Sequence, residues 1–383
     1  MHRISRLLVL ACLVLLAVPA SASAAKRMHV GFQDDQNFRF APDRQELLDE
    51  ATAANATIFR ITIDWSRTAF NRPARPANPF DPEYRLDDVD EFVRNAQQRG
   101  AQVLISIWGT PAWANGNRGK NFAPRRSADL RAFATAIAAR YSGRFAGYPR
   151  VRFFSVWNEP NLHQFLAPQF NARGRSVAPR TYARLYAAAY AGIKAGNRQA
   201  LVAIGETSPR GRDRQSPGTA QDSHSPGRFA ELVASANRRL KFDAWAHHPY
   251  PTALRAKPTQ VVRWPNVTFS TLKRFEKAID AAFRRRNVPI WVTEYGHQTR
   301  PQRPGALTAR TQAAYAAQGL ALARRDSRVK MFIWFIFRDS PRMGALSNPK
   351  FGWEHAGGLV RVNGTRKPSY ARFARAAAAV RIR

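Results

Sequence analysis

Cysteine, acidic side chains and long apolar runs are scarce in this sequence of 383 residues. A single Cys excludes an intrachain disulfide framework and a Cys-based zinc site. Only 26 Asp and Glu stand against 61 Lys and Arg, which gives a formal charge of +35. Beyond the N-terminal segment, no stretch approaches the roughly 20 apolar residues of a membrane-spanning helix. We therefore expect a soluble mature protein that is stabilised by packing and not by cross-links.

The first 24 residues have the composition of a cleavable secretory signal. A basic start, MHRISR, is followed by the apolar run LLVLACLVLLAV and then by small residues. The apolar run is short for a membrane span, and an uncleaved anchor is the alternative. We expect a signal peptide over 1–24, cleaved after Ala22 or Ala24, and one secreted domain over 25–383. Cleavage removes Cys12.

The basic excess has two interpretations. It favours binding to an anionic polymer, such as an acidic polysaccharide. Alternatively, it is a solvated basic surface set partly by codon usage, and the scattered placement of the basic residues favours this second interpretation. The sequence contains no nucleic-acid-binding motif, and the export signal also argues against a nucleic-acid partner.

The mature chain alternates short apolar, β-branched runs with longer segments of helical spacing. Eight strands are predicted, over 29–32, 57–63, 103–108, 153–158, 201–205, 243–248, 289–294 and 331–336. Helices are predicted between and after them, near 43–54, 86–99, 127–142, 180–195, 227–239, 269–285, 308–325 and 368–380. Apolar strands alternating with helices indicate a parallel sheet, and eight such units fit a single-domain (β/α)₈ barrel. The alternative, an open doubly wound sheet, lacks a glycine-rich phosphate loop.

Two glutamates follow apolar strands at the end of the barrel where active sites lie. Glu159 comes after predicted strand 4, and Glu294 closes predicted strand 7. Glycoside hydrolysis needs such a pair, because one carboxyl group protonates the leaving oxygen while the other attacks the sugar or activates water. An arginine beside the attacking carboxylate holds it ionised. The chain also has nine Trp, whose rings can stack on sugars. The pattern predicts a carbohydrate-cleaving site.

Six short segments resemble those of a known group of enzymes. WNEP at 157–160 and WVTEYG at 291–296 are similar to the strand-4 and strand-7 signatures of retaining barrel glycosidases. This clan includes the cellulase-like glycoside hydrolase family 5 and the xylosidase-like family 39. Further similarities are FRITIDW at 59–65, TPAW at 110–113, HPY at 248–250 and the strand-8 Trp334. The resemblance implies hydrolysis of O-glycosidic bonds in β-linked glycans, with retention and without a cofactor.

The resemblance also implies a role for each site residue. Glu159 would be the acid/base, and Glu294 would be the nucleophile that forms a covalent glycosyl-enzyme. The other site residues would be Arg60 and Tyr250 beside the nucleophile, Asn158 on the sugar 2-hydroxyl, His248 beside the acid/base, and Trp334 and Trp108 under the cleaved sugar.

Several residues keep two interpretations. Glu206, at the end of strand 5, either contacts substrate or caps the next helix, and the second is favoured. Asp34 and Asp35 either contact sugar or cap the first helix. His247 is assigned to packing. The two adjacent histidines have no third ligand at suitable spacing, which argues against a metal site.

The sequence as a whole predicts a secreted, monomeric glycosidase whose partner is a carbohydrate, neutral or anionic. Two other functions remain open. One is a non-catalytic glycan-binding barrel attached to a cell envelope. The other is a transglycosylase, which uses the same intermediate with a sugar hydroxyl as acceptor.

Overall fold

The computed structural model describes residues 27–216, 221–301, 303–340 and 356–382. The predicted signal peptide lies outside the described residues. Eight parallel strands close into a barrel, each paired with its neighbours in the chain, and the last pairs with the first. The strands are β1 (His29–Gln33), β2 (Ile58–Asp64), β3 (Gln102–Trp108), β4 (Phe153–Val156), β5 (Leu201–Thr207), β6 (Ala244–His247), β7 (Ile290–Tyr295) and β8 (Val329–Phe335).

A long helix follows each strand and packs outside the barrel. These helices are α1 (Arg44–Ala53), α2 (Asp87–Gln98), α3 (Ser127–Arg140), α4 (Ala178–Gly196), α5 (Pro226–Ala236), α6 (Leu272–Phe283), α7 (Ala309–Arg325) and α8 (Pro368–Ala378). The predicted (β/α)₈ barrel is confirmed. Short helical segments that the sequence patterns did not predict lie in the connections, at Gln36–Phe40, Trp65–Thr68 and Ala112–Asn115. A single 3₁₀ turn, Phe269–Thr271, forms the start of the helix predicted over 269–285. Among the described residues, no helix is both long and apolar enough to cross a bilayer.

The lower part of the barrel lumen is filled by apolar side chains. The rings of Phe153 and Trp291 meet there edge to face, with their centroids 5.5 Å apart. A second and larger apolar cluster lies between the barrel and the helices. Because side chains alternate along a strand, each strand from β2 to β8 contributes to both clusters, whereas β1 contributes only to the outer one. The lumen cluster consists of Ile58, Leu104, Phe153, Ala203, Ala244, Ala246, Trp291, Met331 and Ile333.

The carboxylate of Asp34 joins the first strand to the last at the upper end of the barrel. It accepts hydrogen bonds from the backbone N–H groups of Asn37, Phe337 and Arg338. Burial raises the pKa of Asp34 to about 6, although these hydrogen bonds act in the opposite direction. Asp34 is buried and both of its carboxylate oxygens already accept hydrogen bonds from the protein, so the structure favours a structural role for Asp34 over sugar binding.

Candidate active site

A β-bulge in β5 turns Glu206 into the barrel mouth. Ile204 pairs with Trp245, but the next pair is Thr207 with His247, so β5 carries one extra residue. Thr207 and His247 point outward and hydrogen-bond to each other, at 2.9 Å. The extra residue therefore changes the alternation of the strand and leaves Glu206 on the lumen side. His247 also packs against Phe275 of α6, as predicted for a packing residue.

The backbone of this bulge has an unusual conformation. Gly205 has φ of +104°, and a Cβ at this position would lie 2.6 Å from the ring of Trp245, so only glycine fits. Glu206 follows with φ of +48°, which is uncommon for a residue other than glycine. Its carbonyl oxygen accepts the N–H of Glu159 at 2.9 Å. Glu159 itself has φ of +37°. The bulge in β5 thus helps to hold the end of β4.

A second bulge acts in the same way in β7. Val292 pairs with Phe332, and the next pair is Tyr295 with Trp334, so β7 also carries one extra residue. Glu294 lies in this bulge and faces the mouth, whereas the adjacent Tyr295 packs among the apolar side chains outside the barrel. Both bulges therefore place a carboxylate at the open end of the lumen.

Glu294 has two strong hydrogen-bond donors. The Arg60 guanidinium donates from Nη1 to Oε1 at 2.5 Å, and the Tyr250 hydroxyl donates to Oε2 at 3.0 Å. Burial, together with the charge of Glu294, raises the pKa of Tyr250 well above its ordinary value, so this hydroxyl remains a donor. The Glu294 side chain keeps 13% exposure, enough to reach a ligand from the mouth.

Arg60 is fully buried and connects several polar groups of the mouth. Its Nη2 donates to Asn158 Oδ1 at 3.0 Å and to Glu206 Oε2 at 2.9 Å. Its Nε donates to Ser106 at 2.9 Å, and Nη1 also bonds Gln33. The guanidinium therefore fixes the orientation of two carboxylates and two amides at the same time.

Glu159 is the other partly exposed carboxyl group, with 14% side-chain exposure. Its Oε1 lies 3.0 Å from Nδ1 of His248. Burial raises the pKa of Glu159, and the charge of Glu294 acts in the same direction, against the lowering effects of His248 and Arg60. Glu159 is therefore suited to hold a proton beside Glu294, which is bonded to a cation.

The imidazole of His248 lies between the two carboxyl groups. Its Nδ1 is 3.0 Å from Glu159 Oε1 and 3.6 Å from Glu294 Oε2. Because the two distances share one atom, they limit the separation of these oxygens to less than about 7 Å. Positions 159 and 294, distant in the sequence, thus face each other across a narrow gap.

Trp108 also lies at the mouth, at the upper end of β3. It is partly exposed, and its indole N–H points to the carbonyl of Phe165 at 3.3 Å. The Lys120 ammonium lies 4.4 Å from the centroid of the indole and also pairs with Asp64 at 2.8 Å. One face of this predicted sugar platform is therefore covered by a cation.

The expectation for Trp334 is corrected by the structure. Trp334 is fully buried on the outer side of β8, where its ring contacts Phe373 of α8 and its indole N–H donates to the carbonyl of Gly357 at 2.9 Å. On this strand Met331 and Ile333 point into the lumen. By alternation, the partly exposed Phe335 takes the mouth position. Trp334 cannot form the floor of the site.

The structure therefore brings together Glu159, Glu294, Arg60, Asn158, His248 and Tyr250, places Trp108 at the rim, and leaves Trp334 outside. The residue-by-residue interpretation missed Gln33 and Phe335, and it favoured a helix cap for Glu206, which is instead fully buried in the lumen. The sequence did contain one signal that Glu206 lies in the site, because a charged residue follows a buried apolar strand there.

Among the described residues, no group of three or more His, Cys, Asp or Glu side chains could hold a metal ion.

Known proteins share this architecture. The family model of cellulase, glycosyl hydrolase family 5, matches residues 25–337. A search of curated proteins finds no match. A solved family 39 glycoside hydrolase from Bacteroides cellulosilyticus WH2 is 20% identical, with a TM-score of 0.63 over 92% of this chain and 64% of that one.

Two further solved structures have the same barrel. A glucosidase from Croceicoccus marinus is 16% identical, with a TM-score of 0.66 over 92% of this chain and 68% of that one. A β-xylosidase from Caulobacter crescentus CB15 is 18% identical, with a TM-score of 0.62 over 91% of this chain and 67% of that one. These likenesses show the shared fold, and the chain spans less than two thirds of the family 39 enzyme. The family model covers most of the chain, and so this protein belongs to glycosyl hydrolase family 5, within the clan of retaining (β/α)₈ glycosidases.

Proposed function

We propose that this chain hydrolyses β-glycosidic bonds with retention, with Glu294 as nucleophile and Glu159 as acid/base. The observation that carries the proposal is the contact of one imidazole nitrogen with both carboxyl groups, 3.0 Å from one and 3.6 Å from the other. Retaining enzymes hold their carboxyl groups about 5–5.5 Å apart, whereas inverting enzymes need about 6.5–9.5 Å to admit a water. The limit of less than about 7 Å favours retention.

The first chemical step follows from the donors around each carboxyl group. Glu294, bonded by Arg60 and Tyr250, attacks the anomeric carbon through one oxygen while the bond to the leaving oxygen breaks. Glu159 gives its proton to that leaving oxygen, so a neutral alcohol departs. In the second step Glu159 takes a proton from water, the water oxygen bonds the anomeric carbon, and the ester to Glu294 breaks.

Three further side chains are suited to hold the sugar. Asn158 is oriented through its Oδ1 by Arg60, which leaves its Nδ2 group as the donor that we assign to the sugar 2-hydroxyl. Trp108 presents an indole at the rim, and Phe335 replaces Trp334 as the aromatic side chain that β8 contributes to the mouth.

A substrate panel tests the activity itself. Aryl β-glycosides of glucose, xylose, mannose and N-acetylglucosamine cover the sugars that solved proteins with the same fold cleave or bind. Neutral and acidic polysaccharides with reducing-end detection extend the panel. We expect product release by the wild type on at least one member and none by Glu294→Ala. Glycan binding without any product would contradict the proposal, and products longer than the substrate would indicate transglycosylation.

We also propose export of the mature chain, on the composition of its first 24 residues. Expression with the native N-terminus in a secreting bacterial host, followed by N-terminal sequencing of the secreted protein, tests this. A mature chain that begins at Ser23 or Ala25 is expected. Retention of the full-length chain in the membrane fraction would show an uncleaved anchor.

A further inference from the structure

Glu206 contacts the residues that bind both proposed catalytic carboxyl groups. It is fully buried, and its Oε2 accepts from Arg60 Nη2 at 2.9 Å and from Thr293 Oγ1 at 3.1 Å. The same oxygen lies 2.9 Å from Nε2 of His248. Arg60 bonds Glu294, and His248 lies against Glu159. A third carboxylate thus lies beneath the pair without access to solvent.

Retaining chemistry moves a negative charge across this site. Before the first step Glu294 is ionised and Glu159 carries a proton. In the glycosyl-enzyme Glu294 is a neutral ester, and Glu159 has become the carboxylate. Nδ1 of His248 lies near both carboxyl groups. An N–H at this atom can therefore bond Glu294 before the first step and Glu159 in the glycosyl-enzyme, without movement of the ring.

The two nitrogens of His248 set a condition on its protonation. An ionised carboxylate only accepts hydrogen bonds, and a neutral imidazole has only one N–H. In the glycosyl-enzyme, Nε2 faces the carboxylate of Glu206 and Nδ1 faces that of Glu159, so both nitrogens must donate. The ring then has to be an imidazolium.

We propose that Glu206 is a positioning residue that keeps His248 in the imidazolium form, so that its Nδ1–H can bond whichever of the two catalytic carboxyl groups is ionised. This inference rests on the proposed retaining function. Glu206 touches no part of the reacting bond in this account and acts only through His248 and Arg60.

The charges around His248 agree with this role. From the packed strands, Glu159, Glu206, Glu294, Arg60 and Tyr250 face the ring, and His247 is its neighbour in the chain. With Glu159 protonated, two cations, Arg60 and His248, balance two carboxylates, Glu206 and Glu294. Removing Glu206 leaves two buried cations against one carboxylate, and burial then favours loss of the proton from the imidazole.

The pKa values of His248 and Glu206 both favour the charged form of each group. Burial alone lowers the pKa of His248, but Glu294, Glu159 and Glu206 together raise it to about 10. Burial raises the pKa of Glu206, but the charges of Arg60 and His248 outweigh this effect and bring it to about 2. Both groups are therefore charged throughout the neutral range.

An NMR titration tests the proposal without any substrate. Imidazole ¹⁵N–¹H spectra of the wild type, Glu206→Gln and His248→Gln are recorded as the pH is raised, and the missing signal in His248→Gln assigns the residue. We expect no titration of His248 between about pH 5 and 9 in the wild type and a midpoint below about 8 in Glu206→Gln. The control Glu231→Gln removes an exposed glutamate of α5 and should match the wild type.

Two results would overturn the proposal. One is a His248 that stays protonated to high pH in Glu206→Gln. The other is a His248 that titrates near its ordinary range in the wild type, and this second result needs no variant to fold. Because neither readout uses turnover, both distinguish this proposal from the failure of the glycosidase assignment.

Kinetics on a confirmed substrate then give the size of the effect. Glu206→Gln should lower kcat by about 100-fold, with a much smaller change in KM, because the carboxyl group that is ionised at each step then faces a neutral ring and no longer an imidazolium. In a double-mutant cycle, adding Glu206→Gln to His248→Gln should cost little more than His248→Gln alone. Fully additive losses, or a Glu206→Gln enzyme within twofold of the wild type, would contradict a role through His248.

Discussion

The lower lumen of this barrel and the polar layer directly beneath its mouth are both buried, but they are built in opposite ways. Below, Phe153, Trp291 and Ile333 fill the space by contact alone. Above, Arg60 and Glu206 are equally buried and are stable only because each charge has a partner. In the lower lumen, a smaller apolar side chain costs the free energy of its lost contacts and of the cavity that it leaves. In the polar layer, removing any one charged side chain leaves a buried charge without its partner, which is costly.

The largest expected effect follows from removing the nucleophile at the mouth. Glu294→Ala should lower turnover by more than about 10⁴-fold on activated and natural substrates alike, because no covalent intermediate can form. Initial rates on a confirmed substrate measure this. Added azide should not restore the natural anomer of the product. Ile333→Val in the lower lumen should stay within twofold of the wild type, and a Glu294→Ala enzyme with wild-type rates would refute the assignment.

Loss of the acid/base has a smaller effect that depends on the leaving group. Glu159→Gln should slow glycosides with poor leaving groups by about 10²–10⁴-fold, because they need the proton. The first step should be slowed less for aryl glycosides whose leaving group is an acidic phenol. A series of leaving groups measured for both enzymes tests this. An equal loss across the series would be inconsistent with Glu159 as the acid.

A buried charge at the mouth should matter more for folding than an exposed one. Arg60→Met leaves one buried cation, His248, against the two carboxylates of Glu206 and Glu294, and should reduce the free energy of unfolding by about 3–5 kcal/mol. The control Arg228→Gln breaks an exposed pair with Glu231 and should cost less than about 1 kcal/mol. Urea unfolding at neutral pH measures both. Equal losses would remove the distinction between the mouth and an ordinary surface.

The two regions should also differ in their response to pH. The pKa of Glu206 is lowered to about 2, so the stability it adds is complete above its ordinary value and is lost as pH falls toward 2. The pKa of His248 is raised to about 10, so its contribution is complete below pH 6.5 and is lost as pH rises toward 10.

Urea unfolding as a function of pH compares the regions directly. The destabilisation by His248→Gln should shrink between about pH 6 and 10, because the wild type loses the charged form over that range. The destabilisation by Ile333→Val, about 0.5–1.5 kcal/mol, should be constant, because no titrating group takes part in that packing. A constant difference for both variants would show that His248 is not held charged.

The smallest effects concern the two aromatic side chains at the end of β8. Trp334→Phe should cost about 1–2 kcal/mol of stability and leave KM unchanged, since Trp334 packs against α8. Phe335→Ala should raise KM a few-fold with little loss of stability, because its side chain lies at the mouth. Steady-state kinetics and thermal unfolding together measure both. A raised KM for Trp334→Phe together with an unchanged KM for Phe335→Ala would contradict this placement and assign Trp334 to the site.

The sequence predicts the barrel well, because strand and helix periodicities are local properties. The structure places the eight strands within about two residues of the predicted ends. Most of the mouth was also predictable, since charged side chains that directly follow apolar strands converge in a closed barrel.

What could not be predicted depends on register. A one-residue shift moves a side chain to the other face of a strand. The bulges in β5 and β7 make that shift, and nothing in their local sequence requires it. For this reason Glu206 was favoured as a helix cap, although it lies in the lumen. On β8 the extra residue lies earlier, between Val329 and Met331, and from Met331 to Phe335 this strand pairs regularly with β1. Trp334, in that regular part, was assigned to the wrong face.

The most direct test of the central claim is to trap the covalent intermediate. The wild type is incubated with the activated 2-deoxy-2-fluoro analogue of a sugar it is known to cleave, and the labelled peptide is sequenced by mass spectrometry. The account predicts one adduct, on Glu294, that forms in Glu159→Gln as well and is absent from Glu294→Ala. An adduct on Glu159, on Glu206 or on any other residue would contradict the assignment of Glu294 as the nucleophile.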